Sequence, residues 1–249
     1  MNRSALERDA MNFSALERVV VPMHQPIEQY AAQVRALAGE NGLALTLFGE
    51  IATGTFDLNK NTVRNVLVLN TVDLEVLRLL AQSGAKLGKA RISAPLIMTP
   101  AYINASLDAF PLEMIEIHQS NMTLFGEDYF NALSFNEGHI RLQCERELKS
   151  ILIGMRQGLL AAAGRERLLG MLETQVVERL IRTIRGVLWL KAEKGSRSPL
   201  AMISEMEKMI SRPLSGVQDV IRMGGQPGWE PFKRLYSDIE TLGGVVDAL

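Results

Sequence analysis

The sequence predicts an α+β protein: a mixed β-sheet with flanking helices in the first half, followed by an α-helical region. Three observations carry this. Short valine-rich and leucine-rich apolar runs at 43–48, 65–69 and 92–98 are bounded by glycine, proline and polar residues, as buried strands are. Everything after Asn136 instead repeats its apolar residues every three or four positions. The 249 residues are 47% hydrophobic, enough for one large core or two modest ones.

Taken in chain order, residues 26–40 place Ile27, Tyr30, Ala31, Val34, Leu37 and Ala38 on one face before Asn41-Gly42, which predicts an amphipathic helix with a glycine stop. Strands follow at 43–48 and 65–69. Asp73 caps a helix through Gln82. A third strand spans 92–98. Thr99-Pro100 starts a helix running to about Ala109, with threonine as cap and proline in the first turn. In residues 111–118, Leu112 and Met114 alternate with Glu113, Ile115 and Ile117, which suggests a further strand. Glu127-Asp128, after Gly126, reads as a turn and helix start. From Ile140 to Leu159 the apolar spacing is helical, with Glu145 four residues before Lys149. The following stretch GMRQGLLAAAG is a helix end and linker. Further helices are expected at about 166–192, from Ser198-Pro199, from Ser215 and from Glu230, with the break at Gly224, Gly225, Pro227 and Gly228. The expected division is an N-terminal extension (1–22), an α/β domain (23–135) and a helical domain (136–249).

Composition narrows the function classes. Net charge is −1 and pI about 6.3, so the whole chain is no general nucleic-acid binder. Cys144 is the one cysteine, which excludes an internal disulfide and a multi-thiolate metal site, and its helical apolar setting makes it a packing residue. No apolar run approaches the roughly 18–20 residues of a membrane span, and the charged start lacks a signal peptide's apolar core, so a cytoplasmic protein is expected. That start contains a near-repeat, MNRSALERDA then MNFSALERVV. It reads as a duplicated or alternative start at Met11.

Residues 47–70, LFGEIATGTFDLNKNTVRNVLVLN, carry the functional question. A strand ends at Leu47-Phe48-Gly49. After Glu50 come twelve residues, and then a second strand begins at Val63-Arg64-Asn65. With PLEMIEIHQSNMTLFGEDYF and HIRLQCERELKSILIGMRQGLL further on, this resembles the polymerase-β-like nucleotidyltransferases, in a bacterial subset with a helical tail. The resemblance covers about residues 40–160. It implies a nucleotidyltransferase-like sheet with Gly49 and the following residue at the nucleotide, and an Asp-x-Asp pair on the second strand. A third acid from a later strand completes the magnesium site. The aligned positions are Val63, Asn65 and Glu116.

Two of these three are not acids. Transfer from a triphosphate uses two magnesium ions, and magnesium wants anionic oxygen. Valine offers no ligand and asparagine only a neutral carbonyl. Glu50 adds a negative charge where a triphosphate needs backbone N–H groups, a repulsion of about 1 kcal/mol at 4 Å even in water. The resemblance therefore implies a degenerate member that has lost its chemistry, with no cofactor, acting as a binding or regulatory module for a nucleotide, a protein partner or its own copy. The alternative is an active magnesium-dependent nucleotidyltransferase acting on a protein, RNA or small molecule, its metal held by Glu116 with Asp57 from the loop.

Other motifs weigh less. GEIATG lacks the G-x-x-x-x-G-K pattern of a phosphate loop. His24, His118 and His139 share no metal-ligand spacing. Ribonucleases of the HEPN type place a histidine shortly after an arginine, and no histidine follows His139. Residues 165–212 hold ten Lys or Arg against six Glu, a basic stripe that solvation accounts for better than nucleic-acid contact, since no aromatics interleave with it.

Overall fold

The computed structural model describes residues 12–193, 195 and 198–248. The first copy of the N-terminal repeat lies outside these residues, as do Lys194 and Arg197 of the basic stripe. The chain divides into two compact units, residues 1–107 with 116–134 and residues 108–115 with 135–249. Residues 108–115, which the sequence assigns to the first domain, thus group with the second.

In the first unit, helix α1 (His24–Ala38) buries Ile27, Tyr30, Ala31, Val34 and Ala38, the stripe its sequence spacing predicts. It stops earlier than expected, because Gly39 rather than Gly42 adopts the positive φ of +53° that breaks the helix. Strand β1 (Gly42–Phe48) leads into a single helical turn, α2 (Glu50–Thr53), and then to strand β2 (Arg64–Leu69). Helix α3 (Leu74–Ala81) is capped as predicted, the Asp73 carboxylate accepting the Glu75 N–H at 2.8 Å. Helix α4 (Gly84–Lys89), which has too few apolar residues to show a period, follows.

Strand β3 is shorter than its sequence suggests, Leu96–Met98, with one isolated bridge between Val63 and Ile92. Pro95 lies between the two and has no N–H to donate to a ladder. Helix α5 (Pro100–Ala105) starts at the expected cap, where the Thr99 hydroxyl accepts the Tyr102 N–H at 3.1 Å, and it ends before the expected Ala109.

The segment expected to be a strand at 111–118 is instead helix α6 (Pro111–Gln119). The reason is burial on several sides: Leu112, Met114, Ile115 and Ile117 are all 2% exposed or less. A helix buried all round shows no clean 3.6-residue period, so a short apolar run reads equally well either way. The remaining strand is β4 (Asn121–Gly126). The sheet order is β3-β2-β1-β4, with β1 antiparallel to β2 and β4, and β2 parallel to β3. This is a mixed sheet.

Pleating divides the sheet into two faces. Leu45, Leu47, Leu67 and Leu69 join Ile27, Tyr30 and Val34 of α1 in one core. The opposite face carries Phe48 and Thr46 of β1, paired with Arg64 and Val66 of β2. That second face holds the candidate site.

The second unit contains helices α7 (Glu137–Ala162), α8 (Glu166–Leu190), α9 (Pro199–Ile210), α10 (Ser215–Met223) and α11 (Trp229–Asp247), close to the predicted spans. The expected helix start at Glu127-Asp128 is only a turn, in which Asp128 accepts the Phe130 and Asn131 N–H groups. The helix begins at Asn136, whose side chain caps Gly138 and His139. Cys144 is fully buried, its thiol pushed up to about 12 by burial, and its Sγ faces the Thr183 carbonyl at 3.6 Å. Among the described residues no helix is long and apolar enough to cross a membrane.

Helix α10 is capped from outside by Asp238 of α11, whose carboxylate accepts the Val217 N–H at 3.1 Å. Burial raises the Asp238 carboxyl to about 6, against an ordinary 3.8, despite that bond. Its folded pKa lies above its unfolded one, so this contribution to stability is fully present below about pH 3.8 and is lost as pH rises through about 6. Asp238→Asn is expected to flatten the fall in stability across that window by up to about 2 kcal/mol, measured as urea midpoints at pH 4 and pH 7.

Candidate functional site

The site grows out of the β1–α2 junction. Gly49 has φ +81°, which turns the chain sharply from β1 into α2. Its N–H donates to the Ser120 carbonyl at 2.9 Å, and its own carbonyl accepts the Ala52 N–H at 3.0 Å. The turn brings Glu50 to the end of the sheet. Ser120 is tied in turn to α6, its hydroxyl donating to the Glu116 carbonyl at 2.8 Å. Glu116, on α6, is only 7% exposed.

Arg64 fills the space between them. It pairs with Phe48 across the sheet, and its guanidinium carbon lies 4.8 Å from the Phe48 ring centroid, a cation–π contact. From there Nη2 donates to Glu116 Oε1 at 2.9 Å and to Glu50 Oε2 at 3.4 Å. The glycine is what makes room: a Cβ on Gly49 would stand 2.3 Å from Nη2. Burial by itself would lower the arginine pKa, but the charges and hydrogen bonds of Glu116, and then of Glu50, outweigh it and hold the pKa above its ordinary value. Arg64 is thus a fixed cation between two carboxylates, leaving the trio with one net negative charge.

The family resemblance places Gly49, Glu50 and Glu116 in one site, and the structure brings these three together. Val63 and Asn65 do not join them. Both point to the opposite face, Val63 fully buried in the α1 core and Asn65 1% exposed. Asn65 is a structural bridge: it accepts from the Tyr30 hydroxyl at 2.7 Å and donates to the Ser93 carbonyl at 3.0 Å. Burial pushes the Tyr30 pKa up, so its hydroxyl stays a donor. The β2 residues that share the face of Glu116 are Arg64 and Val66, one position along. Asp57 is engaged in its own loop, where its carboxylate accepts the Asn59 N–H at 2.8 Å.

Arg64 is the residue that motif reasoning misses, and a signal for it exists. It is the one charged residue in a strand whose other residues are apolar apart from Asn65, and alternation puts it on the face opposite Val63 and Leu67. A corollary is testable. Asn65→Asp restores an aspartate to a motif position, and it keeps the Tyr30 hydrogen bond, yet it would bury a charged carboxylate against the Ser93 carbonyl, to which it can no longer donate. The expected result is a loss of about 3 kcal/mol in chemical denaturation, with no gain in metal affinity.

These side chains do not fit a magnesium ion. Magnesium needs near-octahedral oxygen donors at about 2.1 Å, and a guanidinium donating to both available carboxylates is a competing cation. Among the described residues no group of three His, Cys, Asp or Glu could hold a metal. The remaining candidates have structural partners. The His118 Nδ1 lies 2.9 Å from the Phe130 carbonyl, and His24 Nε2 lies 2.8 Å from that of Val19. In the basic stripe Arg179 pairs with Glu147 at 2.9 Å and Arg182 with Glu113 at 3.3 Å.

No family model matches the sequence, and no curated protein does. Among solved structures the chain is similar to spectinomycin adenyltransferase AAD(9) from Enterococcus faecialis, determined with ATP and spectinomycin. The TM-score is 0.57 at 11% identity, covering 90% of this chain and 99% of that one. At that identity the likeness speaks for the fold: this chain has the fold of the polymerase-β-like nucleotidyltransferases, a mixed four-stranded sheet with flanking helices followed by a helical C-terminal region.

Proposed function

We propose that this protein is a binding or regulatory module on a nucleotidyltransferase scaffold, and that it does not transfer nucleotides. One observation carries the reading: the Arg64 guanidinium lies between Glu50 and Glu116, against Gly49, the residues that the sequence resemblance assigns to the nucleotide and its metal. An internal cation there replaces an exchangeable one. Its positive charge is spent on two carboxylates, so the net charge left to meet a triphosphate is negative. The Gly49 N–H is engaged as well, by Ser120.

The solved neighbour was determined with ATP and spectinomycin. For this chain the same ligands are the natural challenge. Purified protein is incubated with each radiolabelled nucleoside triphosphate, with magnesium or manganese, and with protein, RNA and spectinomycin as acceptors. No incorporation is expected, and calorimetry with ATP should give no heat that depends on magnesium. Incorporation that disappears in Glu116→Gln would establish a working transferase instead.

A further inference from the structure

We propose a second site in the first unit: the cavity between α3, α4 and the 91–97 segment binds a small apolar molecule carrying one carboxylate, held by Arg91. The cavity measures about 420 Å³, within the range of small-molecule sites. It lies on the side of the sheet away from Arg64, walled by Leu77, Leu80, Leu87 and Ile97.

Two exposed glycines stand on its rim. Gly84 and Gly88, one helical turn apart on α4, both line the cavity. Glycine is a poor helix residue, and neither has a positive φ that would require it. A Cβ at either position would meet nothing within 4 Å. Without side chains at these two exposed positions, the mouth of the cavity is left open.

The polar groups of the wall select the ligand's chemistry. The Tyr30 hydroxyl is committed to Asn65 and the Ser93 hydroxyl to the Val63 carbonyl, so neither is left to a ligand as a donor. Arg91 differs. Its Nη1 reaches the Asn61 carbonyl only at 3.5 Å, and among the described residues it has no carboxylate partner. A half-buried guanidinium on an apolar wall, without a counter-ion, is complementary to a carboxylate with an apolar body.

Decanoate is the probe, titrated calorimetrically into the full chain, with decanol as its uncharged counterpart. Saturable binding of one decanoate per chain is expected, tighter than decanol by about tenfold or more. Gly88→Leu sets a bulky side chain on the cavity's rim and should abolish or sharply weaken binding while leaving the circular dichroism and melting transition intact. Gly84→Leu serves if that variant does not fold. Arg91→Gln should lower decanoate affinity to the level of decanol. The proposal is overturned by absence of saturable binding, by equal affinity for the two probes, or by decanoate binding that is undiminished in the folded leucine variant.

Discussion

Gly126→Ala is expected to be severely damaging, costing about 4 kcal/mol and leaving the first unit largely unfolded at 37 °C. Gly126 ends β4 at φ +80°, where an alanine is strained by about 1 kcal/mol. Steric overlap costs more than that strain. The added Cβ would lie 1.9 Å from the Leu43 carbonyl oxygen and 2.8 Å from Ala44 Cα, both backbone atoms of β1. No rotamer change relieves an overlap with backbone, so β4 must separate from β1 just where Ala44 pairs with Gly126. Strand β1 is central in the sheet, and the same strands position Gly49 and Arg64. The loss is measured as a urea midpoint, with Gly84→Ala as the control: that glycine has open space and no positive φ, and its replacement should be neutral or slightly stabilising. A Gly126→Ala protein as stable as the parent would show that β4 does not pair in this register.

Arg64→Asp should also have a large effect, and a conditional one. Removing the guanidinium takes from the buried Glu116 its Arg64 ion pair, and the new carboxylate adds repulsion. In the absence of divalent ions the cost should be about 2–3 kcal/mol, below the full value for a buried pair because the Arg64 side chain is a third open to water. Three carboxylates would then face one point. Manganese or magnesium should restore stability in proportion to its concentration, by about 2.7 kcal/mol at a hundredfold excess over its dissociation constant. Arg64→Leu supplies the control, being destabilised without rescue by either ion. Thermal melts with and without manganese separate the outcomes. An Arg64→Asp protein indifferent to divalent ions would mean that Glu50 and Glu116 do not converge as described.

Much of this architecture is legible from residue patterns because the relevant signals are local. Thr99, Asn136 and Ser198 each cap the helix that begins after them. The glycine at the end of β1 is legible too, since a strand, a glycine and a polar loop form a fixed arrangement. What the pattern misplaces depends on non-local burial. Residues 111–118 form helix α6 but read as a strand, because apolar surroundings on several sides erase the period that distinguishes the two. Which face of the sheet the motif positions take is non-local for a related reason. Spacing from Gly49 singles out Val63 and Asn65 as the replaced acids, but the length of a twelve-residue loop does not fix which strand residue comes to face the glycine. One residue of register moves every side chain to the other side of the sheet. Antiparallel pairing of Phe48 with Arg64 sets that register, and it is a property of the folded sheet.

Manganese binding to the unmodified protein is the sharpest test of whether Arg64 occupies the metal's place, because a guanidinium held between Glu50 and Glu116 leaves a dication no room. Electron paramagnetic resonance of manganese titrated into the protein should show only the free-ion signal up to millimolar concentrations, and with ATP the same spectrum as manganese with ATP in buffer. A bound-ion signal at one equivalent, abolished by Glu116→Gln, would contradict this reading, since it would mean that Arg64 yields its place to the metal.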